Sequence, residues 1–188
     1  MDRLKLFNPK KNPFFQHSEI QNFLAIENST VVGRISAIYN GNHLKTHDDG
    51  VGFFGFFESI KDKKISSALF KAVEDWLKEK GITKIRGPVN PSQNDELGFL
   101  LEGFDSPPLV LMTYNPKYYL DLAEDYGFKK AKDLYAYTLD KNFASDKLVR
   151  YFDKLKDRFS LNIRNINFKD KEQFEKDVRT LKEIYNGA

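Results

Sequence analysis

Cysteine is absent from this chain of 188 residues. That excludes a disulfide framework, a thiolate metal site and a cysteine nucleophile. Long hydrophobic runs are also lacking. No stretch reaches the roughly 18 apolar residues of a membrane span, and the N-terminus carries no apolar leader core. A cytoplasmic location is the default expectation. Charge of one sign is missing too: 30 basic residues face 27 acidic ones, a net of +3. Such a mixed, solvated surface predicts neither nucleic acid nor membrane as a partner. There is no Ser-His-Asp order with motif context, no phosphate-binding lysine loop and no aromatic-plus-basic face. His43 and His47 lie four apart beside Asp48 and Asp49. They fall in an expected loop with no third ligand, so no metal site is expected. Aromatic residues are plentiful instead, with 17 Phe and 9 Tyr. The length allows one domain, or one domain plus a piece of another.

The chain is organised around Val51 to Gly81. Residues 51–58 form an aromatic apolar run of strand length. Ser59 followed by Asp62 reads as a helix start, with Ser59 as the cap. Ile65, Ala68, Leu69, Ala72, Val73, Trp76 and Leu77 then recur at helical spacing on one face. Gly81 suits a left-handed stop. Residues 82–86 begin a second strand, so the unit fits a right-handed parallel crossover. Ligands of such units gather between the strand end and the helix N-terminus, here Glu58 to Ser67.

Upstream, residues 23–27 and 31–39 read as a hairpin and residues 40–50 as a polar loop, which makes an antiparallel meander. Downstream, residues 87–108 are dense in Gly, Pro, Asn and Asp, and a loop of such length is often functional. Leu109 to Met112 reads as a short strand or packed coil. A helix is expected over 116–126, a strand over 134–139 and an amphipathic helix over 145–159, with Leu148, Phe152, Leu155 and Phe159 inward. A strand over 161–166 and a helix over 172–185 follow. The fold class is α/β (α+β), a mixed, mostly antiparallel twisted sheet flanked by helices.

This order of elements resembles the GNAT superfamily of N-acetyltransferases. The phrases Asn12–Phe15, Val32–Ile38, Gly52–Glu58, Gly87–Glu96 and Glu102–Pro108 are similar to those of a bacterial branch of it. The resemblance covers residues 12–140 and implies a GNAT-like domain over 1–142. Residues 143–160 are then a connecting helix. Residues 161–188 resemble the first strand and helix of another such fold, either completing the first domain by swapping or starting a second repeat.

The resemblance implies an acyl-CoA-dependent N-acyltransferase acting on a small-molecule amine, with acetyl-CoA or another acyl-CoA as donor. Backbone groups at Phe56 and Phe57 and the segment Lys61, Lys63, Lys64, Ile65, Ser66 and Ser67 would hold the donor. The superfamily's glycine-rich pyrophosphate loop is replaced here by Lys61 to Ser66, in which only Ser66 keeps a small residue. Glu58 matches the general base by position. The usual acid, a tyrosine, is Ala123 here, with Tyr119 and Tyr126 one turn away on either side. Asn90, Ser92, Asn94 and Glu96 would shape an acceptor surface, or else satisfy their own turn. Arg34 and Arg86 read as surface charges. The alternative is a non-catalytic GNAT-like binding module, a fragment of a tandem protein, packing as a homodimer or against a second GNAT-like half.

Overall fold

The computed structural model describes residues 3–138, 140, 146–160 and 163–187. They fall into two units, Met1–Tyr135 and Ala136–Ala188. The first unit opens with a short helix, α1 (Arg3–Leu6), and a single helical turn at Pro13–Gln16. Strands β1 (Ser18–Glu27) and β2 (Thr30–Asn40) form the hairpin, each longer than its apolar run because polar residues continue the ladder. Helix α2 (Gly41–His47), strand β3 (Val51–Ser59), helix α3 (Lys63–Glu79) and strand β4 (Lys84–Arg86) follow. The sheet order is β1-β2-β3-β4, with β3 antiparallel to β2 and parallel to β4. The sheet is thus mixed and mostly antiparallel, as the sequence predicts.

Within the 40–50 segment, where a loop is expected, Gly41–His47 form a helix. Asn40 Oδ1 accepts the His43 N–H at 3.1 Å, and left-handed Asp48 ends the helix. Seven residues are too few to display helical periodicity. Among the described residues no group of three or more His, Asp or Glu could hold a metal ion. The long loop contains a small antiparallel ribbon, β5 (Val89–Asn90) with β6 (Glu96–Leu97). Helix α4 (Tyr118–Tyr126) starts two residues later than expected and ends at left-handed Gly127.

Side chains alternate along β3, so Val51 and Phe53 join Ile38 and Val89 on one face of the sheet. Phe54 and Phe57 lie on the other face with Leu69, Phe70, Val73 and Leu77 of α3 and Tyr119 and Leu122 of α4. Residues 54 and 57 share a face only because of a bulge. The β2–β3 register shifts by one between Arg34 and Ser36, and Phe56 takes φ +51°. The extra residue reverses the alternation and bends the strand just before its end.

In the second unit, α5 (Asp146–Arg158) and α6 (Lys171–Gly187) match the expected helices. The expected strands do not form: residues 134–138, which straddle the boundary of the two units, and residues 163–167 are irregular. Alternation alone makes no strand without a partner edge. Residues 139 and 161–162, and the Leu148 side chain, lie outside the described residues. Phe152 and Phe159, expected inward, are 48% and 59% exposed.

Residues 163–167 are instead tied to α6 by an ion pair. Arg164 donates to both Asp177 carboxylate oxygens at 2.8 and 2.5 Å, and Gln173 Nε2 adds a third bond at 2.8 Å. The Arg164 guanidinium and then Gln173 hold the Asp177 carboxyl down at about 2, against an ordinary value of about 3.9. A depressed pKa contributes stability that is present above the ordinary value and lost as pH falls through the folded one. Thermal unfolding followed between pH 5 and 2 should show that loss, and Asp177→Asn should remove it from the pH profile.

Candidate active site

The bulge of β3 and the N-terminus of α3 bring several of the expected residues together. β3 stays paired with β4 only from Val51 to Phe53. Beyond that point β5 crosses close to it. The Phe56 N–H, turned by the bulge, donates to Asn90 Oδ1 at 2.6 Å. Asn90 Nδ2 in turn lies 3.5 Å from Glu96 Oε2. Asn90 and Glu96 therefore belong to the strand end. Ser92 and Asn94 do not: Ser92 Oγ donates to Asp95 and accepts the Asn94 N–H, which is a self-satisfied turn.

Glu58 lies directly opposite Arg34 in the ladder, and Arg34 Nη2 donates to Glu58 Oε1 at 2.7 Å. Its carboxylate is 59% exposed, so it is reachable by solvent and ligand while fixed in direction. Arg34 is therefore more than a surface charge. Its Nε is buried and has no hydrogen-bond partner among the described residues. Burying such a group costs free energy unless something else at this strand end uses it. The signal for Arg34 was the strand pairing, which places it across from Glu58.

Tyr119 is the tyrosine at this end. Its hydroxyl accepts the Ser59 N–H at 3.3 Å, and its ring packs on Phe57. Burial holds this hydroxyl above its ordinary pKa, opposed by the Ser59 N–H. Tyr118, which sequence reasoning missed, donates to the Ser59 carbonyl at 2.8 Å. Two successive tyrosines thus grip Ser59, next to Glu58. Tyr126 points elsewhere. Its hydroxyl donates to Glu74 in the body of α3 at 2.6 Å, and burial followed by Glu74 raises its pKa.

The helix cap is Asp62, and this corrects the reading of Ser59. The Asp62 carboxylate accepts the N–H groups of Lys64 and Ile65 at 2.7 and 3.4 Å. Ser59 is drawn into β3 by the sheet ladder and its Oγ donates to the Ile60 carbonyl. Ser66 is fully buried and donates to the Lys63 carbonyl, because a small residue lets α3 sit close on the sheet. Ile65 packs against the core and Phe57 is stacked on Phe70 at 4.7 Å. Phe56 packs on Phe7. Ser67 is half-buried on the first turn of α3. Lys61 and Lys64 are exposed, and Lys63 pairs with Asp125 of α4 at 2.9 Å.

These positions fit the two ends of a donor unequally. The bent strand end offers an oriented carboxylate for an amine and, for a reacting carbonyl, a turned amide that is bonded to Asn90 in this structure. The α3 N-terminus offers positive charge from three lysines, but Asp62 already holds two of the amides that an anion would use.

Residues 3–104 match the family described as Acetyltransferase (GNAT) family. The chain is similar along its whole length to a protein named Bacterial ceramide synthase from Caulobacter vibrioides, 38% identical over 189 residues and covering 48% of that protein. It is 34% identical over 180 residues to Protein YghO of Escherichia coli, covering 95% of this chain and 45% of that one. It thus spans about half the length of the curated relatives it matches. No solved structure matches.

Proposed function

Because the chain belongs to the GNAT family of acetyltransferases, we propose that it transfers an acyl group from an acyl-CoA thioester to the amine of a long-chain amino alcohol. The acyl-transfer class follows from the family. The acceptor class rests on the likeness to the protein named Bacterial ceramide synthase. The observation that carries the reading is the bulged end of β3, where Glu58 is oriented by Arg34 beside the turned Phe56 amide.

A bound donor would supply the activated carbonyl carbon. Glu58 would accept the proton that the attacking amine loses. The Phe56 N–H would face the carbonyl oxygen once the Asn90 side chain swings aside, and a positioned donor of this kind contributes about 3 kcal/mol to a transition state. Tyr119 would give a proton to the departing sulfur. Lys61 and Lys64 would meet the donor's phosphates by charge, with the Lys63 N–H as a further donor. Asn90 and Glu96 would line the acceptor side. The expected cytoplasmic setting is part of this proposal, and so is the idea that the second unit begins another GNAT-like half or completes this one.

One observation favours a second reading, a non-catalytic module: the Asp62 carboxylate sits on the amides of the α3 N-terminus. Titration by calorimetry and thermal shift with CoA, acetyl-CoA and a long-chain acyl-CoA separates the two. Under the enzyme reading at least one of these donors binds, saturation raises the melting temperature, and added salt weakens binding because lysines carry the phosphate contact. Asp62→Asn keeps a capping side chain and removes the repulsion, so it should tighten the donor by about two- to fivefold. If no donor binds at millimolar concentration in wild type or Asp62→Asn, the module reading stands and the enzyme reading fails.

A further inference from the structure

We propose that the turn Leu109–Met112 is a lipid-surface contact that seats the chain on a phospholipid bilayer beside its acyl-transfer site. This occupant rests on the lipid-amine reading above. The segment was expected to be a strand or packed coil, and it is neither. The Met112 N–H closes a turn on the Leu109 carbonyl at 3.0 Å. Leu109, Val110 and Leu111 are 69%, 91% and 70% exposed, with Met112, Leu101 and Tyr114 also exposed. Four successive apolar side chains left exposed in one turn mark an interaction surface more often than a solvated loop.

The stem beneath the tip is fixed by polar bonds. Thr113 Oγ1 donates to the Gly98 carbonyl at 2.8 Å, and buried Asn115 accepts the Leu100 N–H at 2.7 Å. The same stem leads to the site. Phe99 packs on Phe57 and Tyr119, and the chain runs from Asn115 into Tyr118 and Tyr119, which grip Ser59 next to Glu58.

Chemistry favours a bilayer over a protein partner. Residues 107–118 contain no acid, and an aromatic residue and a lysine, Tyr114 and Lys117, follow the apolar turn in the chain. An exposed apolar turn followed closely by Tyr and Lys suits the hydrocarbon–headgroup boundary. An amino alcohol with a long chain resides in that boundary, so an enzyme for it gains by docking there. Among the described residues no helix is long and apolar enough to cross a membrane, and a peripheral contact needs none. The proposal departs from the expectation that membrane is no partner.

Co-sedimentation of the whole chain with phosphatidylcholine vesicles, with and without phosphatidylglycerol, tests it. Wild type should bind both kinds. Val110→Asp should lower the bound fraction about tenfold, since a charge at an inserted tip is costly. Leu111 has φ +64°, so Leu111→Gly removes an apolar group without backbone strain and should also weaken binding while the melting temperature holds. Failure to sediment, or binding equal in both variants, overturns the proposal. So does a wild-type dimer that Val110→Asp dissolves without any vesicle binding, which would make the tip a protein contact. Vesicle binding is read without turnover, so it stands or falls separately from donor titration.

Discussion

Gly55→Ala should destabilise the chain by about 3 kcal/mol or more, among the largest effects of any single methyl group in this fold. A Cβ at Gly55 would lie 1.7 Å from the Val89 carbonyl oxygen and 3.1 Å from Asn90 Oδ1. The first of these is backbone and cannot rotate away. Relief requires β5 to move off β3, which breaks the Asn90 bond to the Phe56 N–H and exposes Val89, now buried. Gly52→Ala is the natural comparison. Its Cβ would meet Leu77 and Ile82 side chains at 2.8 and 3.0 Å, and side chains can yield by rotation. Urea unfolding followed by fluorescence of the single, half-buried Trp76 should rank Gly55→Ala well below Gly52→Ala. Equal stability of the two variants would mean that β5 does not cross the strand end as described.

The second large effect concerns chemistry rather than folding. If the chain performs the proposed acyl transfer, Glu58→Gln should lower its kcat by about 10²–10⁴-fold, the usual worth of a positioned base. The amide keeps an oxygen for Arg34 to bond and removes only the ability to take a proton. The melting temperature should hardly change, because an exposed pair contributes about 0–1 kcal/mol. Arg34→Met acts one step back. It leaves the carboxylate in place but undirected, so it should lower kcat less than Glu58→Gln does. Full activity in Glu58→Gln would remove this residue from the mechanism, and Tyr119→Phe would then be the next variant to assay.

The sequence carried much of the framework of the first unit. The apolar run at 51–58, the face from Ile65 to Leu77 and the crossover to residues 82–86 are local patterns, and local patterns survive into the fold. Leu69, Val73 and Leu77 are buried where the periodicity placed them. The cap was a local question with two local answers. Ser59 and Asp62 both suit a helix start, and the sheet decided by extending β3 through Ser59.

In the second unit the pattern was not enough. Residues 134–138 alternate and 163–167 were expected to continue a strand, yet among the described residues neither pairs with a sheet edge. The site was the least legible part, because its contacts cross the chain. Arg34 meets Glu58 from 24 positions away, Asn90 meets Phe56 from 34, and Tyr119 meets Ser59 from 60. The bulge that turns the Phe56 amide is a difference in register between two strands, so neither strand shows it alone. Tyr119 and Tyr126 are alike by spacing, and only the packing of α4 across α3 sends one to the strand end and the other to Glu74. The sequence by itself determined the buried stripe of α3, Leu69, Val73 and Leu77, since that is set by spacing along one helix. Tertiary structure alone decided which polar groups meet, since hydrogen bonds depend on distances that only the closed sheet and its docked helices define.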